Sequence, residues 1–368
     1  MMLDFIFTHH IRRFSMKKLV CYKFFIVCTY VLLLTGCTAC VQTESANVEI
    51  ATRNKNNSRA VGNKMLRITN WNVETFFDCV SVGSEYSEFL KSNKWNKEAY
   101  IVRLERLCTA IKSIDADVFI MEEIENEGVI HDISNFMAGE WDTKKLYTYG
   151  CFAKDEGGSI GCGVISRYPL SDMHVHSLDV RTESESMPEV RPIIEVTVSN
   201  GESNLVLIIN HWKSKSGGEE VSEKWRNRQE ELLAKIIDRC VDDNKAVVAC
   251  GDFNRDIDGF EKGATADVVL LRNSITNDTS SYNTQKGVEV ITPWYDDAVI
   301  IQPGSYYFDN SWERIDNFFI AGNANCISFS PETKGPWCDS ESFIPQKYEL
   351  WNGNGYSDHL PISCTVQF

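Results

Sequence analysis

The sequence of 368 residues lacks several features that would assign it to a common class of protein. No two of the ten cysteines from Cys40 onward are spaced Cys-x-x-Cys, so a zinc ribbon and a thioredoxin-type motif have no support. There is no internal repeat and no linker rich in proline and glycine. The apolar run from Phe24 to Leu34 is shorter than the roughly 20 residues that cross a bilayer. These absences favour one domain preceded by a processed N-terminus.

Positive charge is also scarce, because 37 Lys and Arg residues face 52 Asp and Glu residues and the net charge is −15. Residues 1–36 contain five Lys or Arg and one acid, a net +4, so a chain without them carries −19. Such a charge repels polyanions at long range. It weakens the case for a nucleic-acid ligand without excluding one, because a bound divalent metal supplies positive charge locally.

The N-terminus has the order of a secretory signal, with lysines before the apolar run and small residues after it. The segment Leu34-Thr35-Gly36-Cys37 resembles the lipobox of bacterial lipoproteins. The resemblance implies that residues 1–36 are a signal peptide, that Cys37 carries the lipid, and that 37–63 also includes a flexible polar tether. It implies the envelope of a Gram-negative bacterium, and the absence of Asp after the cysteine favours the outer membrane.

The remaining cysteines are predicted to be in two different states. Cys108, Cys250 and Cys364 lie inside apolar patterns and are predicted to be small buried hydrophobes. Cys326 and Cys338 are instead a candidate disulfide of an exported protein.

From Lys64 onward, apolar strands alternate with amphipathic helices, a pattern that predicts layered sheets with flanking helices in one domain. The predicted strands are Met65–Val73, Ala116–Met121, Gly163–Ser166, Ile193–Val198, Leu205–Asn210, Ala246–Gly251, Asp316–Ala321 and Ile362–Val366. Helical spacing predicts helices over Asn96–Ile114 and Trp225–Arg239.

Polar residues follow the ends of these strands, where the loops of an α/β scaffold build sites. The segments are Asn70-Trp71-Asn72, Glu122-Glu123-Ile124-Glu125-Asn126, Asn210-His211-Trp212-Lys213-Ser214-Lys215, Asp252-Phe253-Asn254, Arg314-Ile315-Asp316 and Ser357-Asp358-His359. Each alone is a weak signal, since a single His at a strand end is more often structural and an Asp there also closes turns. The interpretation therefore depends on the order of all six segments along the chain.

That order resembles the endonuclease/exonuclease/phosphatase superfamily, the DNase-I-like enzymes, over residues 64–368. The segments around Glu123 and His211 also look like those of bacterial extracellular nucleases, so nuclease-like lipoproteins are the nearest match. The resemblance implies an α/β fold in which a two-layer β-sandwich is flanked by helices, as four layers α/β/β/α. It also implies a metal-dependent hydrolase of phosphoric ester bonds with its site at one rim of the sandwich.

The resemblance places the metal at Glu123, the principal ligand. Asn72 is expected beside it through its amide oxygen, and Asp358 is expected to reach the metal directly or through a water. Oxygen ligands of this kind select Mg²⁺, Mn²⁺ or Ca²⁺ over zinc, and Mg²⁺ is expected. Such an ion acts as Lewis acid and template on a phosphoryl oxygen.

Five further matched residues are predicted to be catalytic, namely His211, Asp252, Asn254, Asp316 and His359. His359 is the candidate general base, or a cation that binds the phosphate, and Asp316 is expected to fix its tautomer. Asp252 and Asn254 are expected to position water or phosphate. His211 is expected to contact the scissile phosphate or to protonate the leaving oxygen. The sequence leaves open which His is the acid and which is the base.

Some neighbouring residues have two interpretations. The DNase-like enzymes pair the counterpart of His211 with a Glu that has no clear match here, and Asp155 and Glu156 lie in a shifted segment. Glu125 is expected to be solvated or to support the ligands. Arg191 is either a phosphate contact or a solvated surface cation.

These expectations favour an exported nuclease whose partners are nucleic acid or another phosphodiester and, through the lipid, a membrane; no protein partner is predicted. One alternative changes the substrate to a phospholipid, as in sphingomyelinases, or to an inositol phosphate. The tether and the negative charge favour it, whereas the sequence shows no convincing exposed aromatic hairpin for insertion into a bilayer. A surface-binding lipoprotein with an inactive enzyme fold is the other alternative, and the complete set of acidic and His residues opposes it.

We predict that Cys37→Ala moves the protein from the membrane fraction to the soluble fraction and leaves catalysis unchanged, because this thiol alone receives the lipid. Cys40→Ala, three residues further along, is the matched control and should stay with the membranes. Fractionation and immunoblotting measure both variants. A Cys37→Ala protein that still sediments with membranes contradicts the lipid anchor.

Overall fold

The structure, a computed structural model, describes residues 12–13, 64–139, 142, 145–178, 188–262, 290–296 and 299–368. The predicted signal and tether, including Cys37, lie outside these residues, apart from a two-residue strand, β1 (Arg12–Arg13), that pairs with Tyr149 and Gly150. Across the part of the chain that is described, no helix is both long enough and apolar enough to cross a membrane.

The further strands are β2 (Met65–Phe76), β3 (Val118–Ile124), β4 (Tyr149–Ala153), β5 (Gly161–Ser166), β6 (Leu170–His176), β7 (Ile193–Asn200), β8 (Ser203–His211), β9 (Ala246–Asp252), β10 (Tyr295–Asp296), β11 (Val299–Ile300), β12 (Tyr306–Phe308), β13 (Ser311–Glu313), β14 (Asp316–Gly322), β15 (Asn325–Pro331) and β16 (Ile362–Gln367). The helices are α1 (Ser87–Lys91), α2 (Lys97–Ile114), α3 (Glu127–Ala138), α4 (Glu219–Asp242) and α5 (Ile257–Lys262). Every predicted strand and helix is therefore present with shifted ends. The sequence did not predict the other elements, which include α3, β4, β6 and β15.

The first sheet has the strand order β1-β4-β5-β3-β2-β16-β15. Its central strands β2 and β3 are parallel and are connected by α2. Leu66 and Ile68 of β2 face the second sheet, whereas Trp71 and Val73 pack beneath α2 and α3. Because successive side chains of β2 point to opposite faces of the sheet, this strand contributes apolar residues to two different layers.

The second sheet has the order β14-β9-β8-β7-β6. Strands β8 and β9 are parallel, with α4 as the connection that covers the outer face of this sheet. Because β9 is buried on both faces, its seven residues form a nearly unbroken apolar run rather than an alternating one.

The layers are therefore α2 and α3, the first sheet, the second sheet, and α4, which is the predicted order α/β/β/α. Capping residues set the ends of the helices. Asn96 Oδ1 accepts a hydrogen bond from the Ala99 N–H (3.0 Å) at the start of α2, and Asp115 ends that helix in a left-handed conformation (φ 56°). Asn126 caps α3 in the same way and so joins it closely to β3.

The proposed pairing of Cys326 with Cys338 is wrong. Cys326 Sγ lies 3.4 Å from Cys364 Sγ on the neighbouring strand, in the core between the sheets. Cys338 belongs to the apolar layer on the helix side of the first sheet. The two predicted partners therefore lie on opposite faces of one sheet. The expectation that Cys108, Cys250 and Cys364 are buried is confirmed.

Candidate active site

The register of the second sheet places three predicted residues in one row. Asp316 at the start of β14 lies opposite Asp252 at the end of β9, and His211 at the end of β8 pairs with Asp252 on its other side. Paired residues of neighbouring strands point to the same face of a sheet. The three side chains therefore lie together at one rim, where all three residues are buried.

The first sheet brings Asn72 of β2 and Glu123 of β3 to the same rim. Asn72 Nδ2 donates to Glu123 Oε1 (3.1 Å) and to Asp252 Oδ2 (3.1 Å), which links the two sheets. Asn72 Oδ1 accepts a hydrogen bond from the Glu74 N–H (3.0 Å). The amide nitrogen of Asn72, rather than the oxygen expected as a metal ligand, thus faces Glu123, and Asn72 holds that carboxylate by a hydrogen bond.

Three hydrogen bonds fix the loop that carries Asp358 and His359. Trp71 Nε1 donates to the His359 carbonyl (2.9 Å), the Ser357 hydroxyl donates to the Asn72 carbonyl (2.6 Å), and the His359 N–H donates to Ser357 Oγ (3.0 Å). Trp71 and Ser357 are thus positioning residues that the sequence did not single out. Both lie inside the polar segments at the strand ends, and their proximity to predicted site residues was the available signal.

His359 and Asp316 form a hydrogen-bonded pair, with 2.8 Å between Nδ1 and Oδ2. Burial by itself lowers the pKa of His359, but the charge and hydrogen bond of Asp316, helped by the charge of Asp252, raise it well above its ordinary value. These interactions favour the imidazolium form over the neutral ring. This favours the role of a cation and proton donor over that of general base.

Asp252 is the better candidate for the base. Burial raises the pKa of Asp252 to about 7, although the charge of His359 opposes the increase. Asp252 Oδ1 accepts a hydrogen bond from the Asn254 N–H (2.8 Å), and Asn254 Nδ2 donates to the Trp212 carbonyl (3.2 Å). A carboxylate with this pKa, held in one orientation, has the proton affinity that a general base needs at neutral pH.

His211 has a different electrostatic state from His359. Its burial, with the charges of Arg191 and His359, lowers the pKa of His211 well below the ordinary value. Its Nε2 lies 3.8 Å from Glu123 Oε1 and 3.7 Å from Asp252 Oδ2. Among the described residues its Nδ1 has no hydrogen-bond partner, so neither Asp155 nor Glu156 supplies the carboxylate that the family pairs with this His.

Asp358 contacts a cation that the sequence analysis overlooked. Lys347 Nζ lies 3.2 Å from Asp358 Oδ2 and 3.2 Å from Glu74 Oε1.

Glu125 is only 1% exposed, and its Oε2 accepts a hydrogen bond from the Asp78 N–H (2.6 Å). Of the two roles expected for Glu125, the solvated one is excluded by its burial, and a supporting one remains, because this carboxyl holds the loop after β2.

A cavity of about 550 Å³ opens at this rim. Its lining includes Asn72, Glu74, Glu123, Arg191, His211, Lys215, Asp252, Asn254, Tyr306, Phe308, Lys347, Asp358 and His359. The structure thus brings seven of the eight predicted metal-binding and catalytic residues to the wall of one cavity. Asp316 is the eighth, and it lies behind His359.

An aromatic hairpin, β12–β13, forms part of the cavity wall. The ring of Tyr306 lies 4.8 Å from that of His359 and is stacked on Phe308 (6.2 Å between centroids, 12° between planes). Phe308 is 60% exposed. The sequence showed no convincing aromatic hairpin for insertion into a bilayer, and this aromatic hairpin at the cavity was not predicted, because its short strands and tight turn give no periodic signal.

The oxygen atoms at this rim fit the ligands that a hard divalent cation prefers. Glu123 faces the cavity, and its carboxylate accepts hydrogen bonds only from uncharged donors, the Asn72 amide and the Thr75 N–H (2.6 Å), within the described residues. No described Lys or Arg lies within 4 Å of it. Asp252, Asp316 and His359 also have ligand atoms within 4.8 Å of one another, but the bond between Asp316 and His359 already commits that pair to each other. Glu123 is therefore the residue best placed to hold a metal. Asp358 lines the same cavity, but its Oδ2 is paired with Lys347, so its part in a metal site stays a prediction.

Residues 67–328 match the model of the endonuclease/exonuclease/phosphatase family. The match takes in most of the chain, and the chain belongs to this family, whose enzymes use divalent metal ions. No curated protein sequence matches it.

Solved structures with the same fold include TDP2 from D. rerio, with 16% identity and a TM-score of 0.51 over 83% of this chain and 99% of that chain. An endonuclease/exonuclease/phosphatase from Bacteroides vulgatus has 17% identity and a TM-score of 0.50 over 82% of this chain and 98% of that chain. A family protein from Bacteroides thetaiotaomicron has 15% identity and a TM-score of 0.50 over 83% and 98%. The predicted fold class is therefore confirmed.

We predict that His359→Ala lowers kcat by ~10²–10⁴-fold, because it removes the charged proton donor of the site. Asp316→Asn should give a smaller loss, since the imidazole remains and only its charge and tautomer are disturbed. The double variant should lose scarcely more than His359→Ala, because residues that act as a unit are not additive. Steady-state kinetics on an oligonucleotide, whose alkoxide leaving group needs a proton, give the cycle, with Mn²⁺ affinity measured in parallel. Losses that multiply would show that the two residues act independently.

Proposed function

We propose that this protein is an exported, metal-dependent phosphodiesterase that hydrolyses nucleic acid. One observation carries the proposal: a single cavity combines the carboxylate of Glu123, which no lysine or arginine neutralises within 4 Å in the described residues, with the Asp252 carboxyl and the His359 imidazolium. A phosphodiester is an anion, so its attack by water needs charge neutralisation, a base and a proton donor. With a cation bound at Glu123, the site has charge neutralisation, a base in Asp252 and a proton donor in His359.

The residues of the cavity divide the steps of this reaction among them. Glu123 and Asp358 would hold a divalent ion, which would supply charge neutralisation at a phosphoryl oxygen. Asp252 accepts the proton of the attacking water. His359 Nε2–H stabilises the charge that develops on the phosphate and donates a proton to the leaving oxygen, while Asp316 keeps the imidazolium oriented. His211 stays neutral and donates a hydrogen bond to the substrate.

The hairpin and the cavity cations favour nucleic acid as the substrate. The stacked rings of Tyr306 and Phe308 offer a flat surface for a base, and stacking on an aromatic ring is tolerant of sequence. Arg191, Lys215 and Lys347 line the same cavity and suit the phosphates of a polymer. TDP2 from D. rerio, which has this fold, was crystallised with a single-strand DNA product.

The same hairpin is the observation that favours a phospholipid substrate, since aromatic hairpins also insert into bilayers. The details oppose insertion. The tip of the hairpin consists of Asp309 and Asn310, both exposed and polar, and Tyr307 packs against Trp312 at 5.1 Å between ring centroids. Phe308 is the one large apolar side chain of this hairpin that is mostly exposed. This arrangement suits contact with a single base better than penetration of a lipid surface.

We predict that EDTA abolishes hydrolysis, that Mg²⁺ or Mn²⁺ restores it, and that zinc does not. Glu123→Gln keeps the shape of the side chain and removes its charge. Metal stabilisation is worth several kcal/mol and each 1.36 kcal/mol is tenfold, so kcat should fall by ~10²-fold or more while metal affinity also falls. Glu125→Gln is the matched control, because the amide oxygen still accepts from the Asp78 N–H, and it should retain activity. Full activity in excess EDTA contradicts the proposal.

We also predict that residues 38–368 cleave single-stranded DNA or RNA in preference to sphingomyelin vesicles and inositol phosphates. Phe308→Ala should raise KM for an oligonucleotide by ~5–150-fold, since stacking of a base is worth ~1–3 kcal/mol. Its Mn²⁺ affinity should not change, because an aromatic ring is not a ligand for the metal. Preferred cleavage of sphingomyelin, with lost vesicle binding in Phe308→Ala, would instead establish the phospholipid alternative.

A further inference from the structure

Two arginines of α2 anchor different loops at the active-site rim. Arg103 is buried, and it reaches the end of β2, where Nη1 donates to the Thr75 carbonyl (3.0 Å) and Nη2 donates to the carbonyls of Val73 (3.1 Å) and Glu74. Arg106 is one turn further along and only partly buried. Its Nη1 donates to the carbonyls of two glycines in the loop before β16 instead.

The backbone that Arg103 holds has an unfavourable conformation. Glu74 (φ 53°) and Thr75 (φ 44°) both lie in the left-handed region, which side chains with a Cβ rarely adopt and which is particularly unsuitable for a β-branched residue. Three successive carbonyls converge on one guanidinium as a result. The five N–H donors of arginine suit such a cluster, whereas a lysine ammonium is compact and cannot span it in the same way.

The backbone N–H groups on the opposite side of this turn hold the predicted metal ligand, Glu123, directly and through Asn72. The Thr75 N–H donates to Glu123 Oε2 (2.6 Å), and the Glu74 N–H donates to Asn72 Oδ1 (3.0 Å). Asn72 Nδ2 in turn donates to Glu123 Oε1 (3.1 Å). Both oxygens of Glu123 are therefore oriented by residues 72–75, and the carbonyls of 73–75 are oriented by Arg103.

Packing fixes the guanidinium itself. It lies 3.6 Å from the ring centroid of Tyr348 and 4.6 Å from that of Phe76. The backbone N–H of Tyr348 donates to Glu74 Oε2 (2.9 Å), so the ring that covers Arg103 is also attached to the turn. Arg103 consequently has little freedom to move away from the three carbonyls.

We propose that Arg103 is a positioning residue for the metal site, which holds residues 73–75 in the one backbone conformation that orients the Glu123 carboxylate toward a divalent cation. The inference rests on the proposed function, because it assumes that Glu123 binds the metal. Arg103 touches neither the substrate nor the metal. It acts through the N–H of Thr75, which lies 48 residues before Glu123 in sequence.

The test compares Arg103→Met with Arg167→Met by direct Mn²⁺ binding, read from the electron paramagnetic resonance signal of free Mn²⁺. Arg106 is not a suitable control, because the loop that it holds leads to Asp358. Arg167 follows β5 at the end of the first sheet away from the rim, where its Nε donates to the Lys145 carbonyl (3.1 Å) and its guanidinium lies 5.0 Å from the ring centroid of Tyr147. Arg103→Met should weaken Mn²⁺ binding by ~10–100-fold, the usual effect of removing a residue that orients a ligand. Arg167→Met should keep the wild-type affinity, and saturating Mn²⁺ should return much of the lost kcat to Arg103→Met.

Arg103→Lys is the second variant, because it keeps the buried charge and so remains folded where Arg103→Met does not. It should bind Mn²⁺ with an affinity between those of the wild type and Arg103→Met. Wild-type Mn²⁺ affinity in both Arg103 variants, or an equal loss in Arg167→Met, overturns this inference alone. Failure of the wild type to bind Mn²⁺, or wild-type affinity in Glu123→Gln, overturns the assignment of the metal to Glu123 and this inference with it.

Discussion

A single amide group joins the two sheets at the rim of the cavity, where Asn72 Nδ2 lies 3.1 Å from an oxygen of Glu123 and 3.1 Å from an oxygen of Asp252. The two carboxylates repel each other, and a shared donor reduces that repulsion without adding a charge. Asp252 also lies in register with Asp316, which orients His359. The relative position of the two sheets therefore sets the distance between the expected metal ligand, the base and the imidazolium.

The fold was predictable where periodicity was strong. The apolar runs of β8 and β9 and the helical spacing of α2 were recognised from the sequence because burial on a sheet or beneath a helix leaves a regular pattern. The start of α4 was missed because its first turns are charged. Glu223 there pairs with Arg226 and Arg255 rather than packing on an apolar face, so the hydrophobic period begins only at Trp225.

The candidate site was predictable as a set of residues but not as an arrangement. Polar residues at strand ends were sufficient to identify Glu123, Asp252 and His359, because the ends of neighbouring strands meet at one rim. The orientation of the Asn72 amide could not be read in the same way, since it depends on a left-handed turn that the sequence does not mark. The contacts of Lys347 depend on pairings between distant segments, for which a single sequence gives no signal.

The strand order of the first sheet has a consequence for when activity can arise during synthesis. Strand β16 lies between β2 and β15, and the loop just before it carries Asp358 and His359. A nascent chain that has not yet released this segment leaves one edge of β2 unpaired and has no imidazolium at the rim. The earlier strands alone therefore lack His359, and the proposed activity requires the C-terminal strand to be in place.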